Sequence, residues 1–386
     1  MSHATGASAP IEPVPLRVIA HEWGRIGLLG FGGPPAHIAL LRHLTVDQRQ
    51  WMNARDFEHA VAAANLLPGP ASTQLMIYGA WRLRGVRGAL VGGIAFIAPG
   101  LVLIMGLSVL FFAGHPSQWL RGAALGADAV VPAIALRTAG QLATPSWNST
   151  SGRARRLRWV VYVAVGIVST LVAPALVVVA LVGCGVAEIL ARHQGHHVAV
   201  TGLATLHGVV LGGVGALAWV ALKVGALSYG GGFVIIPLMQ HDVVNTYHWM
   251  TGAQFLNAVA LGQVTPGPVV LTVAAVGYAA HGLPGAALAT VIAFAPSFLF
   301  VTLGARHFDR LRANDSVVSF LAGASPSVIG AIGASAVALA ILIAQLWQGA
   351  ILLVALIWLL GFQRSATMML LMAAVLGALL SGVVPL

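Results

Sequence analysis

Two cations stand at equivalent places inside apolar sequence. Arg25 lies in the stretch Leu16–Leu44 and Lys223 in the stretch Leu206–Met239, and 223 − 25 = 198. A cation within a membrane span costs roughly 2.5–3.5 kcal/mol on insertion scales and is by default a functional hypothesis. Two such cations related by symmetry suit a shared anion approached from opposite directions. The competing reading is that both long stems snorkel to an interface. The tripeptides Pro68-Gly69-Pro70 and Pro266-Gly267-Pro268 recur at the same spacing, 266 − 68 = 198. The first proline ends one half-helix, the glycine permits the turn, and the second proline fits the first position of the next helix. Each break aims unsatisfied N–H groups and a positive dipole end inward, which suits an anion. Ser72, Thr73 and Thr272 in the following turns, and Thr265 just before the second break, could add hydroxyls. Kinks with packing roles only are the alternative.

Further polar groups surround these breaks. Gly32 and Gly33, in the run Gly30–Pro35, and Gly230 and Gly231, in the run Gly230–Gly232, could expose backbone amides to a ligand; close helix packing wants glycine equally. Asn65 and Gln263 sit three residues before the two tripeptides and could bond oxygens or cap a broken helix. For proton coupling the candidates are Glu22, Glu58 and Asp128, with Glu188, His37 and His207 beside other apolar segments. Glu22 precedes Arg25 by three residues, so an ion pair on one helix face is its simplest explanation. Asp128 has Ser325 as its repeat mate, so any role for it is asymmetric. No Walker loop, no HExxH and no redox cysteine pair occurs, and Cys184 is the single cysteine. No cofactor or metal is expected, and energy for transport must come from an ion gradient. The His193–His197 loop reads as solvated rather than metal-binding.

The elements that position these residues follow from composition. Of the 386 residues 58% are hydrophobic and 8% charged, and mean hydropathy is +0.89. A soluble domain carries about 25% charged residues, so this surface must face lipid. The chain reads as an all-α polytopic membrane protein. Its apolar elements run roughly 16–44, 57–81, 86–113, 119–143, 159–173 and 174–191, then 206–239, 253–280, 284–305, 316–339, 341–361 and 366–384. The two sets are one pattern written twice. Trp51-Met52 matches Trp249-Met250, Phe57 matches Phe255, and Phe31-Gly32-Gly33 matches Tyr229-Gly230-Gly231, all offset by 198. Gly85, Gly88 and Ala98-Pro99 then match Gly282, Gly285 and Ala295-Pro296 at an offset of 197. The expected domains are a polar tail at 1–15, a first repeat at 16–191, a hydrophilic linker at 192–203 and a second repeat at 204–386.

Arginines orient the halves. In the first half they cluster at Arg82–Arg87 and Arg153–Arg158; in the second they move one element along, to Arg306–Arg312 and Arg364. Basic loops on one side of the membrane then require inverted-topology repeats. Each would have about five crossings plus a Pro-Gly-Pro re-entrant or broken helix. The +10 net charge belongs to such loops, with no basic aromatic-interleaved domain for nucleic acid. Inverted repeats with broken helices point to a secondary transporter with a site near the midplane.

The runs Gly30-Phe31-Gly32-Gly33-Pro34, Trp51 to Phe57, Leu67-Pro68-Gly69-Pro70 and Ala98-Pro99-Gly100 together resemble the chromate ion transporter (CHR) family. So does their second copy, Gly230-Gly231-Gly232, Trp249, Phe255, Thr265-Pro266-Gly267-Pro268 and Ala295-Pro296. The resemblance covers nearly the whole chain from Leu16, in the long-chain, two-domain form. It implies chromate efflux driven by the proton-motive force across a prokaryotic inner membrane, with sulfate as competitor. A multi-pass protein in the lipid bilayer, with a homodimer among its expected assemblies, completes that implication. Arg25, Lys223 and the Pro-Gly-Pro amides are the expected ligands of the dianion. The residues alone leave a sulfate or other anion transporter, or a passive anion channel, as alternatives. The second copy departs from the first where Pro34 is replaced by Gly232.

Overall fold

The computed structural model describes residues 14–64, 69–112, 117–172, 176–192, 212–228, 235–304, 314–343 and 345–381. Among these residues every regular element is helical. Asn65, Pro68, Gly230, Gly231, His207 and the linker from 193 onward lie outside them. Among the described residues four segments are long and apolar enough to cross a membrane: Ala71–Phe112, Gln118–Asn148, Val269–Gly304 and Asp315–Ile341. Shorter apolar helices, Gly213–Leu227, Leu346–Gly361 and Ala366–Ser381, accompany them.

Helix α1 (Leu16–Leu29) ends at Gly30. Gly32 and Gly33 follow at φ +99° and +78°, a region other residues rarely enter, and Pro34 opens α2 (Pro34–Arg42). A π-turn, His43–Gln48, leads to α3 (Ala54–Ala64). Gly69, at φ +119°, then turns the chain into α4 (Ala71–Phe112). Asp56 and Arg82, each 13 residues from Gly69, meet at 3.2 Å. The chain therefore reverses between α3 and the first arm of α4. It turns again inside α4, where Arg84 and Gly85 leave helical geometry. Gly88 lies against the Ala80 carbonyl and Gly92 against the Ala80 methyl and Trp23, so the two arms of α4 pack antiparallel.

The later chain repeats these backbone events. Helix α9 (Gly213–Leu227) is followed by α10 (Ile235–Gln240), a π-turn His241–Thr246, and α11 (Gly252–Val264). Gly267 turns at φ +98° into a 3₁₀ turn, Val269–Leu271, and α12 (Thr272–Gly304). Helix α12 breaks at His281 and Gly282, with dihedrals close to those of Arg84 and Gly85. Of the three non-glycine residues at positive φ among the described residues, two correspond, Gln50 at +52° and His248 at +53°, with 248 − 50 = 198; the third is Gln363 at +51°.

Small residues set the packing. Gly27 crosses the Phe96 carbonyl and Gly225 the Ala293 carbonyl, so α1 lies on the second arm of α4 as α9 lies on that of α12. The remaining helices are α5 (Gln118–Asp128), α6 (Val131–Asn148), α7 (Arg153–Val172), α8 (Val177–Arg192), α13 (Asp315–Ile341), α14 (Leu346–Leu356) and α15 (Ala366–Ser381). They pack across the halves. Gly122 and Gly126 of α5 meet Gly377 and Ala373 of α15, and Gly166 of α7 and Gly185 of α8 meet Ser327 and Phe320 of α13. Glycine-lined helices approach closely where lipid gives no hydrophobic drive to associate.

One expected element differs. The stretch 119–143 reads as a single helix, but the chain breaks at Ala129 and Val130 into α5 and α6. Pro132 supplies the cause, because its ring conflicts with the carbonyl four residues earlier, on Asp128, where α5 ends.

Candidate anion site

Each Pro-Gly-Pro turn lies against the other half of the chain. A Cβ built on Gly69 would fall 3.2 Å from the Ser297 hydroxyl of α12 and 3.4 Å from the Gly225 carbonyl of α9. In the opposite sense, the Gly267 N–H donates to the Gly30 carbonyl at 3.1 Å, Gly100 meets the Pro266 carbonyl, and Val269 lies beside Gly33. His37 ties the two turns together. It is fully buried, with Nε2 2.9 Å from the same Gly30 carbonyl and Nδ1 3.4 Å from the hydroxyl of Ser72, in the first turn of α4. The Phe96 ring closes over it edge-on at 5.0 Å.

The two turns differ in how their polar atoms are satisfied. Around Gly267 both hydroxyls are satisfied, the Thr265 hydroxyl donating to the Leu261 carbonyl at 3.0 Å and the Thr272 hydroxyl to the Val269 carbonyl at 2.8 Å, although Gln263 Nε2, three residues before Pro266, has no partner among the described residues. Residues 265–277 are buried without interruption. Around Gly69 two hydroxyls stay open. Ser297 Oγ, which faces Gly69, and Thr73 Oγ1, in the first turn of α4, both on fully buried residues, find no hydrogen-bond partner among the described residues. A buried polar group left unpaired costs about 1–3 kcal/mol, so an unpaired hydroxyl facing the turn, as at Ser297, suits a ligand, ion or water. The first N–H groups of α4, after Pro70, have no intrahelical acceptor either.

A cavity of about 520 Å³ reaches this open turn, within the range of ligand sites. Gly69 and Ala71 form one part of its wall; Ser146, Arg155, Tyr162 and Arg192 form another. Arg155 is exposed. The cavity thus joins Arg155 of α7 and Arg192 of α8 to the N-terminus of α4, while the Thr73 and Ser297 hydroxyls are buried and do not line it. That arrangement can draw in an anion, strip its water and replace it with N–H and O–H donors.

The paired cations sit elsewhere. Arg25 is 62% exposed and lies 3.9 Å from Glu22, which Arg49 also holds at 2.7 Å. Lys223 is bound by Asp242 of the second π-turn and stacks near Trp219. Each is therefore neutralised within its own half, and no contact joins the two among the described residues. Glu58 is exposed. Asp128 is buried at the α5–α6 break, and the Asn257 carboxamide of α11, turned to satisfy both groups, donates to its oxygens at 3.0 and 2.6 Å. Replacing Arg25 with Gln should leave transport within about twofold of wild type, as an exposed pair contributes about 0–1 kcal/mol. Lys223→Gln should cost tenfold or more, by stranding the Asp242 carboxylate at 13% exposure. Uptake rates of the two variants at matched expression check this ordering.

Sequence reasoning missed Ser297, His37 as a link, and the arginine-lined cavity. Ser297 takes the place of Gly100 in the repeat, 297 − 100 = 197, so a search for matched residues passes over it. The cavity wall needs α13 of the other half, with Ser325 and Ile329, and only tertiary structure brings that helix there.

The chain was compared with known proteins. The family model described as Chromate transporter matches residues 18–189 and 215–379. The chromate transport protein of Cupriavidus metallidurans is 30% identical over 87% of this chain and 86% of its own length. That of Pseudomonas aeruginosa is 30% identical over 88% and 85%. A probable chromate transport protein of Synechococcus elongatus is 28% identical over 84% of each. No solved structure matches.

Proposed function

The chain belongs to the chromate transporter family, and from that premise we propose that it exports chromate across a prokaryotic inner membrane, driven by the proton-motive force. The observation that carries the reading is the turn at Gly69, which lines a cavity together with Arg155 and Arg192 and faces the Ser297 hydroxyl; that hydroxyl and the Thr73 hydroxyl in the first turn of α4 are buried without partners among the described residues. Chromate is a tetrahedral dianion, and its oxygens accept what this turn offers. The exposed arginines admit it; the amides of residues 71–73, Thr73 and Ser297 hold it where water is excluded.

Direction follows from charge. The cavity is lined by Arg155, within the cluster Arg153–Arg158, and basic loops favour the cytoplasmic side, so the open turn loads from inside. The satisfied turn at Gly267 is its closed counterpart. Two inverted halves, 16–191 and 204–386, would exchange these roles, opening Gly267 to the outside as Gly69 closes. The matched breaks at Gly69 and Gly267, Gln50 and His248, and Gly85 and Gly282 speak for that symmetry.

Asp128 is the proton-coupling carboxyl in this reading. Glu22 is held by arginines and Glu58 is exposed, whereas Asp128 is buried and grips α11, the helix that leads into Pro266-Gly267-Pro268. Asp128→Asn should preserve folding and chromate binding but abolish the response to an imposed pH gradient.

Chromate uptake by everted membrane vesicles tests the function. Uptake that requires energisation, collapses with protonophore and is competed by sulfate is the expected result. Flux that survives protonophore would replace the coupled transporter with an anion channel. Transport of sulfate with no transport of chromate would reassign the substrate.

A further inference from the structure

The cavity wall holds one acidic side chain, Glu188 of α8, and it is nearly sealed, at 4% exposure. Its carboxylate accepts four hydrogen bonds. Arg158 of α7 grips it with two nitrogens, at 2.7 and 3.2 Å. The Tyr162 hydroxyl lies 3.3 Å from one oxygen, and Arg192 donates to the other through Nε at 2.7 Å. These occupy about all the lone-pair sites a carboxylate has. The two arginines differ in kind. Arg158 is committed face to face, whereas Arg192 is held at one nitrogen and lines the cavity; the two are about equally exposed, at 30% and 29%. A guanidinium carries five N–H donors in a planar fork that fits paired oxygens of a carboxylate or an oxyanion equally.

We propose that Arg192 and Tyr162 form a receiving site for a tetrahedral dianion on the way to Gly69, and that Glu188 fills it as an internal stand-in for the anion. This rests on the oxyanion-transport reading above. On arrival the dianion takes over the Arg192 guanidinium, while Glu188 stays neutralised by Arg158. No charge is left buried alone at any stage. Because Glu188 competes for Arg192, the receiving site holds the anion weakly and hands it on to the turn.

Two variants of the full chain in lipid nanodiscs test this, with chromate and sulfate as separate probes in equilibrium binding. Glu188→Gln removes the competitor and leaves Arg192 free. Affinity should rise about tenfold, the scale of one charge-assisted hydrogen bond, while turnover falls because release to the turn slows. Arg192→Gln leaves the Glu188–Arg158 pair intact, and affinity should fall about tenfold. Opposite signs are the signature, since a merely structural ion pair would weaken binding in both variants or in neither. Same-sign or null changes for both probes overturn the proposal. Should Glu188→Gln fail to fold, unchanged affinity in Arg192→Gln overturns it alone and a tenfold loss upholds it. Opposite signs for sulfate, with no chromate binding in wild type, would uphold the stand-in and overturn chromate as the substrate.

Discussion

Replacing Thr73 with valine and Ser297 with alanine together should remove chromate binding by more than a hundredfold without lowering the stability of the protein. Both hydroxyls are buried and lack partners among the described residues. In the empty protein each contributes a desolvation cost and no compensating bond, so its removal is neutral or stabilising. In the loaded protein each donates to a dianion, a bond of about 1.5–3 kcal/mol, and two of them account for a factor of a hundred or more. Thr265 and Thr272 at the closed turn give the contrast. Their hydroxyls already bond to the Leu261 and Val269 carbonyls, so Thr265→Val and Thr272→Val should affect chromate binding far less. Binding titrations and thermal unfolding on the same preparations separate the two effects. A parallel loss of stability and binding in the Thr73/Ser297 variant would mean that the hydroxyls serve packing.

Gly69→Ala should abolish transport. Gly69 has φ +119°, where a side chain costs about 1–3 kcal/mol of strain. An added methyl would also press on the Gln74 carboxamide and stand 3.2 Å from the Ser297 hydroxyl, in the space assigned to the anion. Loss of uptake by well over tenfold, with unfolding lowered by a few degrees, is expected. Gly85→Ala is the matched control. Gly85 also has positive φ, +57°, but nothing lies within 4 Å of its Cβ position. It should share the modest loss of stability and keep its transport. Equal transport defects in both would place the effect in backbone strain alone.

The register of 198 made the positions of both turns legible in the sequence, and with them the chain reversals that build the cavity. Proline and glycine act locally, so their consequences can be read from one dimension. Gly122-x-x-x-Gly126 and Gly88-x-x-x-Gly92 read as packing faces for the same reason, and they contact Gly377, Ala373 and Ala80. The partners of charges could not be read that way. Lys223 meets Asp242, nineteen residues later in the second π-turn, and Glu22 meets Arg49, just after the first. Symmetry also hid what matters most at the turn. Matched residues stand out in a repeat, whereas the site proposed at Gly69 includes Ser297, where the other half has Gly100. The break at Ala129–Val130 escaped because the stretch around it stays apolar throughout. Only the ring of Pro132 against the Asp128 carbonyl divides it.

The position of bound chromate tests the central claim most directly. Chromium scatters anomalously, so diffraction from crystals grown with chromate locates the metal without reference to the protein map. The expected result is a peak within hydrogen-bond range, through the chromate oxygens, of Thr73 Oγ1, Ser297 Oγ and the first amides of α4. A peak at Arg25 or Lys223 with the Gly69 turn empty would contradict the assignment of the site.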